Sequence, residues 1–285
     1  MGRQLKGLRE RNGITQADAA RIVEVSPQSY GRLEDGRVTK ITNLGINALA
    51  NAFRADDEER RLLLDLAQEI RLAQPSGGGW WRAYADAIPS DFNYYLALEE
   101  SADRIISWQT TLVPGLLQTR EYRRALMWAE RPDMPPGEVE GILDMVGKRQ
   151  DLLTRNDFRF EAILSEAVLR YMVGGPGVVA DQFRHLTELS TLQNVSVRIV
   201  PFDAQTPIAL IARTSFVVFA FPPLPTSRLI EPPVAYMEGL VGDLYLERET
   251  EVATYIQIAE KMQRVALSES ASRDLVLTTL KEWDK

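Results

Sequence analysis

The sequence predicts a multidomain chain, an all-α five-helix head followed by an α+β body, on three observations. Two short, strongly capped helices lie back to back between Thr15 and Arg37. The run Gln74-Pro75-Ser76-Gly77-Gly78-Gly79 holds no apolar side chain and reads as a flexible linker. Beyond Phe158 the apolar spacing changes from a helical repeat to strand-like alternation. These place the domain boundaries at 1–73, 74–79 and 80–285.

In the head, Leu5, Leu8 and Arg9 belong to a first helix ending near Gly13. Thr15 is an N-cap with Asp18 three residues on, so the second helix runs from Gln16 to Ile22. Ser26 caps the third, Pro27 takes the first helical position, and Asp35-Gly36 stops it after Glu34. Helices of two turns are not stable alone. The small Ala20 marks their crossing, Val23 and Val25 turn inward, and Tyr30 and Leu33 face the core. That leaves Ser26, Pro27, Gln28, Gly31 and Arg32 outward. A fourth helix follows from the spacing of Ile41, Leu44, Ala48, Leu49, Ala52 and Phe53. A fifth carries Asp56 to Glu59 on its first turn and Leu62, Leu63, Leu66, Ala67 and Ile70 along one side.

After Trp80-Trp81, residues Asp91 to Ser107 are expected to be helical through Tyr94, Leu98, Ala102 and Ile105. Trp108 to Thr119 contains a Pro-Gly turn, and helices are expected over 120–129, 138–154 and 179–192. Strands are expected at 158–164, 195–202 and 214–221, with shorter ones at 235–239 and 244–246. The last 35 residues read as two helices, the first carrying Val252, Tyr255, Ala259, Met262 and Val265.

Net charge is −7 over 285 residues. Residues 1–54 hold nine Lys or Arg against five Asp or Glu, and the remainder 24 against 35. A basic head on an acidic body suits a nucleic-acid reader whose second domain faces something else, and the small surplus calls for a dimer to double the phosphate contacts. With no cysteine, disulfides, thiolate zinc sites and cysteine nucleophiles are excluded. No apolar run approaches 18 residues and no signal-like segment opens the chain, so a cytoplasmic protein without membrane attachment is expected.

Thr15-Gln16 and the run from Tyr30 through Arg32 and Glu34 to Gly36 resemble the Xre-type (lambda repressor-like) helix-turn-helix family. The resemblance implies double-stranded DNA as partner. The third helix would enter the major groove, with Gln28 and Arg32 reading bases, since Gln matches adenine and Arg guanine. Gln16, Ser26, Arg37 and Lys40 would hold the DNA backbone. The chain departs from the pattern in three ways. Glu24 stands where glycine is usual, so a non-Gly residue is forced to positive φ, and Pro27 and Gly31 occupy outward positions that often read bases.

Trp80-Trp81, Val113-Pro114-Gly115-Leu116-Leu117-Gln118-Thr119, Glu166-Ala167, Val200-Pro201-Phe202 and Gly242-Asp243-Leu244-Tyr245-Leu246-Glu247 resemble the antitoxin-like C-terminal domain of actinobacterial Xre-type regulators. That likeness implies a transcriptional regulator, in some cases paired with a small partner protein encoded nearby; the chain is further expected to act as a homodimer whose body senses such a partner or a small-molecule effector. It implies no chemistry for the body. Glu99, Glu166 and Glu238, in apolar surroundings, are candidates for a shared ligand or partner site, and Trp108 is taken with them.

No catalytic residues, metal ligands or cofactor are expected. Gly175-Pro176-Gly177-Val178-Val179-Ala180 has the spacing of a dinucleotide loop, but Pro176 sits in its turn and Tyr171-Met172-Val173 makes a poor strand before it. His185, the one histidine, has no companion for a metal. Two rival readings are carried beside the regulator: an antitoxin that sequesters a small cognate protein, and a nucleotide-using enzyme.

Overall fold

A computed structural model of the chain describes residues 1–37, 41–73, 80, 84, 92–204, 214–239 and 241–283. The expected linker, Trp81 and Lys40 lie outside these residues. The chain divides into two compact units: residues 1–78 with 223–230, and residues 79–222 with 231–285.

The first unit holds five helices: α1 (Gly2–Arg11), α2 (Gln16–Ile22), α3 (Pro27–Glu34), α4 (Asn43–Ala52) and α5 (Asp57–Ala73). Local chemistry sets their limits. Thr15, Ser26 and Thr42 are N-caps whose hydroxyls accept from the amides of Asp18, Ser29 and Gly45. Asp56 and Glu59 form a reciprocal capping box at the start of α5, each carboxylate accepting the other's amide at 2.8 and 3.0 Å. The first four helices end alike. The residue after each cap has positive φ, and two crossed amide bonds close the turn, as from Gly36 to Leu33 and Arg37 to Arg32. Glycine fills that left-handed position at Gly13 and Gly36, while Glu24 (φ 55°) and Arg54 (φ 51°) fill it at the cost expected for an L side chain.

The core of this unit is Leu5, Leu8, Ala19, Ala20, Tyr30, Leu33, Ile46, Leu49, Ala50, Phe53, Leu63 and Ala67. Three expected core positions face out instead: Val25 is 41% exposed, Leu44 81% and Ile70 39%. In α4 the buried set is Ile46, Leu49, Ala50 and Phe53, a stripe rotated from the one read through Leu44 and Ala48.

The second unit is built on a six-stranded mixed sheet, ordered β3-β2-β1-β4-β5-β6. Its strands are β1 (Arg104–Gln109), β2 (Arg159–Ser165), β3 (Val195–Val200), β4 (Phe216–Ala220), β5 (Val234–Met237) and β6 (Leu244–Leu246). The first three are parallel to one another, and β4, β5 and β6 each run antiparallel to the preceding neighbour in the order β1-β4-β5-β6. Among the described residues its α-helices are α6 (Phe92–Ser101), α7 (Arg120–Glu130), α8 (Pro136–Gln150), α9 (Pro176–Leu189), α10 (Glu249–Val265) and α11 (Glu269–Trp283).

The strand β1 corrects the expectation of a helix through Ser107. The helix stops at Ser101, and Arg104–Gln109 becomes a central strand flanked by β2 and β4. A strand buried on both faces loses the alternation that announces a half-exposed one, so RIISWQ is unreadable by period. One sheet face packs Ile105, Phe160, Ala162, Val197, Ile199 and Phe219 against α9 and α11. The other packs Ile106, Trp108, Ile163, Val200, Phe216 and Val218 against α10. A third apolar cluster joins Leu96 of α6 and Met127 of α7 to Val139, Leu143 and Val146 of α8. Among the described residues no helix is long and apolar enough to cross a membrane.

Candidate nucleic-acid interface

The site is assembled from α2, the turn after it, and α3. Proline at the first position and the Ser26 cap start α3, and the Gly36 turn ends it, so its eight residues present two faces. Tyr30, Leu33 and Glu34 are buried. Gln28 and Arg32, four apart and therefore on one side of the helix, are both exposed, and neither has a hydrogen-bond or ion-pair partner among the described residues.

What holds that face outward is a buried charge pair behind it. Glu34, 4% exposed, accepts from Arg9 Nε at 2.6 Å and Nη2 at 3.0 Å, a bidentate brace between α1 and α3. Gln16 donates its side-chain amide to the same carboxylate at 2.8 Å. Burial alone would lift the Glu34 pKa, but the bonds from Arg9 and Gln16 prevail and leave it below the ordinary carboxylate range. Arg9 is raised in turn, chiefly by its hydrogen bond to Glu34. The Tyr30 hydroxyl sits near Glu34 without reaching hydrogen-bond geometry, and burial pushes its pKa up.

The positions expected at the DNA backbone divide. Ser26 is exposed, its hydroxyl engaged as the α3 cap at 3.1 Å from the Ser29 amide. Gln16 is exposed at the start of α2, and its amide nitrogen already serves Glu34. Arg37 is exposed and without a partner among the described residues. Lys40 lies outside them. Of the other basic side chains of the head, Arg11 pairs with Glu59 at 2.7 Å and Arg21 pairs with Asp18, while Lys6, Arg54 and Arg61 are exposed and without a partner among the described residues.

In the second unit the candidate residues do not converge. Trp108 is fully buried in the core beneath α10 and offers no surface to a ligand. Glu99, 1% exposed, takes both guanidinium nitrogens of Arg149 at 2.7 and 2.8 Å and ties α6 to α8. Glu166 accepts from the Phe202 amide at 3.0 Å and from Arg170 at 3.3 Å, capping a loop. Glu238 alone has no partner among the described residues.

The Pro114 to Thr119 string is internal wiring. Gln182, fully buried, accepts from the Thr119 amide and donates to the Leu117 carbonyl, both at 2.7 Å, while Gln118 donates to the Val113 carbonyl at 2.7 Å. Arg149 lies so close over Gly115 that a Cβ there would meet its guanidinium at 3.4 Å. Upstream of Gly175-Pro176-Gly177, residues 170–175 form no strand, so the loop lacks the context of a dinucleotide site. No cluster of three or more His, Asp or Glu side chains among the described residues is placed to hold a metal. His185 is held below its usual pKa by burial, opposed by Glu188.

One residue escaped sequence reading. Arg123 of α7 falls three and four residues before Leu126 and Met127, on the helix's apolar stripe, and that misfit is its only sequence signal.

A capped α2, a tight turn and an α3 with a polar exposed face define a helix-turn-helix DNA-binding regulator. Residues 1–63 match the family described as a helix-turn-helix domain. Residues 92–278, well over half of the chain, match the family described as a domain of unknown function (DUF5753), and the chain belongs to that family. No curated protein and no solved structure matches it.

Proposed function

We propose that the protein is a sequence-specific transcriptional regulator of Xre type, cytoplasmic and without catalysis of its own. It binds a near-palindromic operator as a homodimer. Gln28 and Arg32 read base edges in the major groove, while Ser26, Arg37, Lys40 and the start of α2 at Gln16 hold phosphates. We take 1–73 as the DNA-binding head, 74–79 as its linker and 80–285 as an antitoxin-like body. The body takes a small ligand or a small partner protein and shifts the population of DNA-competent dimers, which requires that its ligand distinguish the two states.

The observation that carries this reading is the pair Gln28 and Arg32, exposed on one face of α3 and unpartnered among the described residues, on a helix whose other face is locked by Glu34 and Arg9. Genomic footprinting of the purified protein gives the operator. On it, Arg32→Ala is expected to cost about 1–3 kcal/mol and to relax preference at one base pair, whereas Arg37→Ala should weaken all sequences alike. A uniform loss from Arg32→Ala makes Arg32 a phosphate contact. Failure of the protein to select any fragment at moderate salt removes the reading.

A further inference from the structure

One face of the second unit's sheet changes character along its length. Side chains of the three parallel strands alternate between the two faces, and on the α10 side the later positions, Ile106, Trp108, Ile163 and Val200, are apolar and packed. The earlier positions on that side are Arg104 of β1, Arg159 and Glu161 of β2, and Ser196 and Arg198 of β3. Parallel sheets are ordinarily covered on both faces by apolar packing, so a polar half-face calls for a reason. Here it lines two cavities of about 630 and 510 Å³, which have Arg198 and Gln263 as a common wall. The end of α10 and the start of α11 supply the opposite side through Glu260, Arg264 and Glu269.

Part of this polarity is structural. Arg104 and Arg159 stand directly opposite each other in the β1–β2 register, a repulsive pairing. Glu161, 5% exposed, relieves it: its carboxylate accepts from Arg104 at 2.8 and 3.2 Å and from Gln263 at 2.6 Å, with Arg159 Nε 2.9 Å away. That carboxylate is thereby spent. Arg198 donates one nitrogen to the Gln263 carbonyl at 2.9 Å, which leaves its Nε and Nη2 without an acceptor among the described residues. Arg264 and Glu260 are exposed and have no partner there, and Glu269 accepts from the Ser196 hydroxyl at 2.6 Å. Four arginines therefore meet three carboxylates around the joined space, and the one buried carboxylate is shared by two of them.

We propose that the paired cavities form an effector site for a phosphorylated sugar. Arg198, on the common wall, takes the phosphate together with Arg159 from one cavity and Arg264 from the other, since a dianion accepts from more guanidinium donors than a planar carboxylate does. Glu260 and the side-chain oxygen of Gln263 take sugar hydroxyls, whose O–H groups need acceptors that arginines cannot provide. The one apolar lining side chain among the described residues is Ala266, so the walls offer no platform for a nucleobase or another flat ring. A duplex backbone fits less well, because Glu260 and Glu269 stand at the same walls. This rests on the reading of the body as the part that controls DNA binding, and it names the ligand class.

The test is calorimetric titration of the full chain, without DNA, using glucose 6-phosphate, fructose 6-phosphate and ribose 5-phosphate, with glucose and inorganic phosphate as controls. Saturable binding is expected for at least one ester, at least about tenfold tighter than for inorganic phosphate, and none for glucose. Arg264→Gln should weaken that ester by about tenfold or more at an unchanged melting temperature, since Arg264 has no partner among the described residues to lose. Arg198→Lys keeps the charge and should weaken the ester less than Arg198→Met does. Glu260→Gln should weaken the ester and leave inorganic phosphate unaffected. The proposal is overturned if no ester binds below about 10 mM, or if ester binding is indifferent to both Arg264→Gln and Arg198→Met. Inorganic phosphate binding as tightly as the esters would mean an adventitious ion only, and overturns it too. So does a loss of duplex affinity in the arginine variants with ester binding unchanged, which would make these side chains DNA backbone contacts. Operator affinity is measured separately with and without the ester: an ester-binding protein whose hold on its operator is unaffected keeps the site and removes the body's control of DNA binding, whereas a protein that selects its operator and takes no ester removes only the site.

Discussion

At the scale of single residues, Glu34 is where folding and recognition meet. Its carboxylate takes both Arg9 nitrogens and Gln16, so α1, α2 and α3 converge on one buried acid. Removing one member of a buried pair strands the other, which costs more than the pair contributed. Glu34→Ala is therefore expected to destabilise the head by about 3–5 kcal/mol, read as a lowered urea midpoint. The pH dependence has a defined sign. The folded pKa of Glu34 lies below its unfolded value, so its contribution is complete above the ordinary carboxylate range and is lost as pH falls through the depressed native value. An acid titration of wild type and Glu34→Gln should differ in that limb, the variant being the flatter; identical limbs would mean that Glu34 is not the titrating brace. Glu24 offers the opposite case. Held at φ 55° with its side chain exposed, it should be improved by glycine. Glu24→Gly is expected to gain up to about 1 kcal/mol, measured as a raised melting temperature.

At the scale of elements, what was legible depended on where the determining partner lies. Gln16–Ile22 and Pro27–Glu34 were readable because Thr15, Ser26 and Gly36 act within three residues of the ends they fix. Gln28 and Arg32 were readable as outward for the same reason: a four-residue spacing on a short helix with Tyr30 and Leu33 inward leaves them no other side. Partners distant in sequence defeated the reading. Glu99 finds Arg149 fifty residues away, and β1 is a strand because β2 and β4 flank it. The α4 stripe was misread in part because an alanine-rich helix supports two apolar faces, and packing chose Ile46 over Leu44 while keeping Leu49 and Phe53. The close seating of α1 on α3 was equally invisible. A Cβ on Gly2 would come within 2.3 Å of the Glu34 carbonyl and 2.5 Å of that of Leu33. Gly2→Ala should thus push the helices apart at a cost of about 1–3 kcal/mol, detectable by thermal unfolding; an unchanged midpoint would show that the start of α1 is not packed there.

At the scale of the whole molecule, net charge and usable charge differ. Residues 1–54 carry nine basic groups against five acidic ones. Arg9, Arg11 and Arg21 are consumed by Glu34, Glu59 and Asp18. On the proposed backbone contacts, Arg37 and Lys40 are the charged groups, so each head would neutralise about two phosphates and a dimer about four, and the logarithm of affinity should fall against the logarithm of salt with a slope near −3.6. Fluorescence anisotropy on an operator duplex between 50 and 200 mM salt measures this slope. A value near −1.8 would mean that one head binds alone, and a value steeper than about −6 would require the body to contact DNA. Replacing Arg37 by Ala should flatten the slope by nearly two in the dimer, one phosphate being lost from each head, while Arg32→Ala should leave it unchanged if that side chain spends its charge on a base. The two variants together separate a positioning contact from a reading one in a single titration series.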